Sequence, residues 1–184
     1  MKIVTRYPLV DDLLSTYSEE ISHDFPGYSN HVYRLLNFFA ALTRSHGRLT
    51  DAALIAAVFH DIGIWTASTF DYLQPSTAQA KRHMLATRAD TIDSEVTTLI
   101  ANHHKIRAYE GAFADSAQPL KQADLIDVSL GMLRHGLPRS YVSGEKCISQ
   151  RRLSSSSHWA GANAVHARAA TTVSNAAVVT IIFV

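Results

Sequence analysis

Residues 52–59, Ala-Ala-Leu-Ile-Ala-Ala-Val-Phe, are apolar at every position. Thr50 and Asp51 just before them are good helix caps. The segment therefore predicts a helix with no polar face. Such a helix must be covered on nearly every side, so several other elements have to pack around it. His60 and Asp61 follow immediately. Two ionisable groups at the end of a buried helix are costly unless partners or a cation meet them. Capping of the helix and bonds to loop backbone would satisfy them without a ligand. A divalent metal would satisfy both, since imidazole nitrogen and carboxylate oxygen suit Zn, Mn, Fe, Co or Ni.

The surrounding chain also reads as helical. Val32, Leu35, Leu36, Phe39 and Leu42 recur at helical spacing from Tyr28 to Ser45. Pro26 and Gly27 are expected to separate this helix from an earlier one over Val10 to Ser22. Ser29 or Asn30 is the expected cap, and Gly47 the expected end. A further helix opens at Gln74-Pro75-Ser76 and runs to about Ala89, with Pro75 close to its first turn. Another runs from about Asp93 to His103-His104. A last one begins near Pro119, includes Leu133, and ends at Gly136 and Pro138. No useful alternating strand pattern appears before residue 140, so the expected class is all-α.

Three regions are expected: an N-terminal helical extension over 1–24, a helical domain over 25–140, and an atypical tail over 141–184. The tail differs in composition. All 16 acidic residues lie at or before Glu145, and the 39 residues after it contain four basic ones. The first 145 residues hold 13 basic and 16 acidic side chains, a net of −3. A serine run at 154–157 and few leucines predict a poorly ordered or loosely docked extension. Val178 to Val184 has strand propensity without a partner strand. The abrupt loss of acids is also what a foreign or frame-shifted ending on a truncated domain would give. A missing covering helix would then expose an apolar face, with a homodimer or aggregation as the expected consequence.

Composition excludes several functions. Lys and Arg number 17 against 16 Asp and Glu, so no basic excess points to a nucleic-acid polymer. No apolar run reaches membrane-spanning length, and the N-terminus lacks a signal peptide's apolar stretch. The lone Cys147 forms no internal disulfide, which makes a reducing cytoplasm the expected setting. It also excludes a zinc site built on several cysteines. Ten histidines in 184 residues are many, and several adjoin acids or each other.

The histidines and acids that stand out are, in order, His31 early in a helix, His60-Asp61 closing one, His83 within one, His103-His104 ending one, and Asp124 within the last. His60 lies 29 residues after His31, and Asp124 lies 63 after Asp61. Ala57-Val58-Phe59-His60-Asp61-Ile62-Gly63 and Ala123-Asp124-Leu125-Ile126-Asp127 complete the pattern. Together they resemble the HD superfamily of metal-dependent phosphohydrolases, over roughly residues 25 to 135.

The resemblance implies a bundle of about five core helices around a metal site. His31, His60, Asp61 and Asp124 would bind the principal ion, with Asp61 and His60 at the catalytic centre. Asp61 would bridge a second ion, held by His83 with His103 or His104. The cofactor would be one or two divalent ions (Mn, Fe, Ni, Co, Zn or Mg). The substrate would be a small phosphorylated molecule, a nucleotide among the candidates, attacked by a metal-activated water.

Arg34 and Lys105 are candidates to hold a substrate phosphate, as is Arg107. Asp127, one turn from Asp124, is a candidate either to support a ligand or to cap a neighbouring helix. Trp65, Phe70 and Tyr72 either wall the pocket or pack the core. His23, His46 and His135 read as surface or capping residues.

Members that cleave cyclic dinucleotides resemble His-Asp-Ile-Gly-Lys, then His-His-Glu and Gly-Tyr-Pro. Here Ile64 and Lys105 depart from that pattern, which disfavours cyclic di-GMP. Two rival readings keep the same residues: a mixed-valence di-iron oxygenase acting on an alcohol or phosphonate, and a non-catalytic degenerate domain.

Overall fold

A computed structural model describes residues 3–67 and 71–144. Every regular element among them is helical: α1 (Pro8–Thr16), α2 (Ser18–Ile21), α3 (Phe25–Leu42), α4 (Asp51–Phe59), α5 (Gly63–Thr66), α6 (Leu73–Thr87), α7 (Asp93–Asn102) and α8 (Ala114–Val128). The expected all-α class is what the described residues adopt. The expectations for residues 145–184 and for Phe70 lie outside the described residues.

Helix α4 is the hub. Thr50 caps it, its hydroxyl accepting the Ala53 amide hydrogen at 3.3 Å. Residues 52–59 are all buried, and α1, α3, α6, α7 and α8 surround them. Each fully buried Leu, Ile, Val or Phe contributes about 1.5–3 kcal/mol, so this helix is held by its neighbours rather than by its own length. Val10, Leu13 and Leu14 of α1 and Ile21 of α2 belong to the same core. Residues 139–144 are helical again and place Val142 in that core.

Five boundaries differ from the sequence expectation, one being the end of α3, which stops at Leu42 with Arg44 (φ 54°) left-handed rather than at Gly47. Residues 10–22 do not form one helix, since α1 ends at Thr16 and α2 begins at Ser18. Helix α3 starts at Phe25, with Pro26 in its first turn, where the missing amide hydrogen would have had no helical partner anyway. Ser29 and Asn30 are thus buried helix residues, not caps. Helix α8 starts at Ala114, with Pro119 inside it. Its far end is Val128, not Leu133. Leu130 (φ 54°) and Gly131 (φ 76°) turn left-handed there, and the Gly131 amide donates to the Ile126 carbonyl at 2.8 Å. The Leu130–Gly131 turn, not Gly136, supplies the stop, which leaves Met132 and Leu133 exposed.

Gly63 has a different task from the expected helix stop. It opens α5, and a Cβ on it would lie 2.4 Å from the Tyr72 carbonyl oxygen and 2.9 Å from the Ser76 nitrogen. Its amide donates to the buried Ser76 hydroxyl at 2.9 Å. Only glycine lets the start of α6 come this close to the His60-Asp61 turn.

Candidate metal centre

Four helices aim ligand-type atoms at one point. Helix α3 supplies His31, the end of α4 supplies His60 and Asp61, the end of α7 supplies His103 and His104, and α8 supplies Asp124. The His31 and His60 Nε2 atoms are 3.0 Å apart. Asp61 Oδ2 is 3.2 Å from His60 Nε2, and Asp61 Oδ1 is 3.2 Å from His103 Nε2 and 3.8 Å from His104 Nε2. Asp124 Oδ1 is 3.5 Å from His31 Nε2 and 3.9 Å from His60 Nε2. Two groups result, His31-His60-Asp61 and Asp61-His103-His104, each with its ligand atoms within 4.8 Å of one another. Asp61 is common to both.

The other ring nitrogens fix the tautomers. His60 Nδ1 donates to the Ala57 carbonyl at 2.8 Å, and His103 Nδ1 donates to the Ile100 carbonyl at 2.6 Å. His31 Nδ1 donates to Asp127 Oδ2 at 2.7 Å. With those hydrogens committed, the Nε2 lone pairs of three imidazoles face each other and the Asp61 carboxylate. Acceptors facing acceptors in a buried space are unfavourable unless a proton or a metal ion lies among them. Asp124 Oδ1 is buried and accepts no hydrogen bond. This donor set suits a divalent transition ion.

The electrostatics agree. Burial alone would raise the Asp61 pKa, but His60 and His103 reverse it and hold the carboxyl well below its usual range. Burial works against charge on His31 and His60. The hydrogen bond and charge of Asp127 outweigh it for His31, and Asp61 does so for His60, so both imidazoles titrate above their ordinary value. Asp124 is pushed up, chiefly by burial. His104 is pushed down to about 3 by burial and by its neighbour His103, so it is neutral at pH 7.

Around this cluster, Asp127 Oδ1 accepts from Arg34 Nε at 2.5 Å, and Asp127 Oδ2 accepts from Arg34 Nη2 at 2.8 Å. Arg34, expected to face a phosphate, thus has two nitrogens on Asp127. The Tyr72 hydroxyl is hydrogen-bonded to His104 Nε2, and burial first, then Asp61, raises the Tyr72 pKa. Tyr28 donates to the Val58 carbonyl at 2.6 Å and packs against the His31, His60 and Trp65 rings. Trp65 Nε1 donates to Asp24 at 3.0 Å.

The expected residues are not all brought together. His31, His60, Asp61, His103, His104 and Asp124 converge. His83 lies in neither group, and its ring sits 5.8 Å from Phe59 instead. Lys105 and Arg107 are exposed just past α7, as are His23, His46 and His135 elsewhere. Sequence reasoning missed Ser76 and Tyr28, which carry no metal-ligand signature. It also missed Asn102, whose buried Oδ1 accepts no hydrogen bond beside His103.

What fold and site define, over the described residues, is an all-helical domain with a buried histidine–aspartate centre able to hold a metal ion. No helix among the described residues is long and apolar enough to cross a membrane. Comparison with protein-family models, curated proteins and solved structures finds no match.

Proposed function

We propose that this chain is a metal-dependent phosphohydrolase of the HD type, acting on a small phosphomonoester or phosphodiester such as a nucleotide, in the cytoplasm. The observation that carries the reading is the double membership of Asp61. One carboxylate faces His31 and His60 on one side and His103 and His104 on the other. His31, His60, Asp61 and Asp124 would hold a first ion, and Asp61 with His103 and His104 a second. A bound divalent ion supplies Lewis acidity toward a phosphoryl oxygen and acidifies water toward neutrality.

The protein's own groups prepare that chemistry. The Nδ1 bonds of His31, His60 and His103 present their Nε2 lone pairs inward. His104 stays neutral at pH 7, as a ligand must. Burial of His60 and His103 keeps bulk water from one wall. Lys105, exposed beside His104, offers a positive charge to an incoming phosphate.

A second reading shares the Asp61 observation, since a bridging carboxylate equally suits a mixed-valence di-iron oxygenase. Iron content and oxygen uptake with an alcohol or phosphonate separate the two.

The test is an untagged chain purified without chelator and assayed on nucleoside monophosphates and p-nitrophenyl phosphate with added Mn²⁺. Metal-dependent release of inorganic phosphate is expected, and Asp61→Ala should abolish both bound metal and turnover. Normal metal content and turnover in Asp61→Ala would overturn the assignment.

A further inference from the structure

His60 and His103 share a device that His31 lacks. Each follows the last residue of its helix, where backbone carbonyls have no helical partner. Each takes one of those carbonyls, three residues back, for its Nδ1 hydrogen. His31 is the seventh residue of the 18-residue α3, where the preceding carbonyls already accept helical hydrogen bonds. Its ring must be oriented by another element.

Helix α8 supplies that element. His31 and Arg34 lie three residues apart on α3, as do Asp124 and Asp127 on α8, so each pair shares one helix face. The two helices pack together. Asp127 then meets His31 Nδ1 with one oxygen, while Arg34 takes both oxygens as a fork, at 2.5 and 2.8 Å. The fork fixes the carboxylate plane. The carboxylate in turn fixes the imidazole, whose Nε2 faces His60 and Asp124. Side-chain exposure is 19% for Arg34 and 9% for Asp127, so water competes little. The contrast on α8 is clear: Asp127 has both oxygens bonded, whereas Asp124 Oδ1 accepts no hydrogen bond.

We propose that Arg34 and Asp127 are a positioning pair that presents His31 to the first metal ion, and that Arg34 acts through Asp127 rather than on a substrate phosphate. The inference rests on the metal-binding half of the proposed function and not on its hydrolytic half.

The test titrates the metal-free full-length chain with Co²⁺, following its visible absorption, beside steady-state kinetics on p-nitrophenyl phosphate at saturating Mn²⁺. Arg34→Ala should weaken the tighter Co²⁺ site on the order of tenfold, in the range seen when partners of ligand residues are removed. Arg34→Lys should recover part of that loss, because one ammonium reaches the carboxylate without forming the fork. In an Asp127→Ala background, Arg34→Ala should add nothing. At saturating Mn²⁺, KM should be unchanged.

Unaltered Co²⁺ affinity with a raised KM in Arg34→Ala would overturn the proposal and make Arg34 a phosphate clamp. Additive losses in the double variant would overturn it too. Should Arg34→Ala not fold, Asp127→Asn carries the test, with Co²⁺ affinity expected to fall and an unchanged value counting against the pair. Weakened Co²⁺ binding in a chain that hydrolyses no phosphate would sustain the pair and remove the hydrolase reading. A wild-type chain that binds no Co²⁺ would remove both.

Discussion

The two sides of Asp61 are built differently. On the α3–α8 side, His31 is held by Asp127 and Arg34, His60 by the end of its own helix, and Asp124 leaves an oxygen without a donor. On the α7 side, only His103 is comparably fixed, through the Ile100 carbonyl. His104 is more exposed, at 26% against 0% for His60 and His103, and the Tyr72 hydroxyl already bonds to its Nε2. Preorganised ligands lose less freedom on binding. The first side should therefore bind an ion tightly and the second more weakly, after Tyr72 lets go of His104.

Removing one ligand from each side breaks the comparison most directly. His60→Ala should abolish tight binding and, with it, the second ion. His104→Ala should keep the tight ion and lose only the weak one. Calorimetric titration with Mn²⁺ distinguishes the two outcomes, and equal losses from both variants would contradict the asymmetry.

A smaller and more local effect is expected at Gly63. A methyl group there would press on the Tyr72 carbonyl and the Ser76 amide, so Gly63→Ala should destabilise the chain by about 1–3 kcal/mol. Denaturant unfolding measures this loss. Because Tyr72 touches His104 and not His31, the weak site should shift more than the tight one. A fully stable Gly63→Ala chain would argue against the close approach of α6.

The smallest expected effects concern pH. In the metal-free protein, the raised pKa values of His31 and His60 contribute stability that is present below about 6.5. That contribution is lost as pH rises through the folded-state values. Metal needs unprotonated imidazole, so the extra stability conferred by metal should grow over the same rise. Melting temperatures at pH 6 and 8.5, with and without Mn²⁺, should diverge. On the acid side, burial opposes the Asp127 charge, but His31 and Arg34 together lower its pKa to about 2. Its contribution is complete above an unfolded value of about 4 and disappears as pH falls through 2.

Much of this was legible in local sequence, and the remainder depends on tertiary placement. Residues 52–59 could only form a buried helix, and the His60-Asp61 charge problem followed from that burial. The convergence of His31, His103, His104 and Asp124 was implied by the family resemblance; their positions on or at the ends of helices allowed it without requiring it. His83 and Arg34 could not be placed the same way. A histidine in mid-helix reads alike whether its ring meets a cation or Phe59, and an arginine one turn from a ligand reads alike whether it faces phosphate or Asp127. The α8 boundaries were missed because Pro119 reads as a start and Gly136 as a stop, whereas the helix accommodates the proline and the left-handed turn at Leu130 and Gly131 ends it first. Gly63 was read as a helix stop because the neighbour that requires it, Tyr72, approaches through space.

The most direct measurement is metal identity, stoichiometry and affinity on the untagged full-length chain, by elemental analysis after chelator-free purification and by stepwise reloading of the metal-free form. Two divalent ions per chain with clearly unequal affinities, the tighter lost in His60→Ala, is the predicted result. A chain that holds no ion after reloading with Mn²⁺, Fe²⁺, Co²⁺, Ni²⁺ or Zn²⁺ would contradict it and leave a domain whose histidines and aspartates serve structure alone.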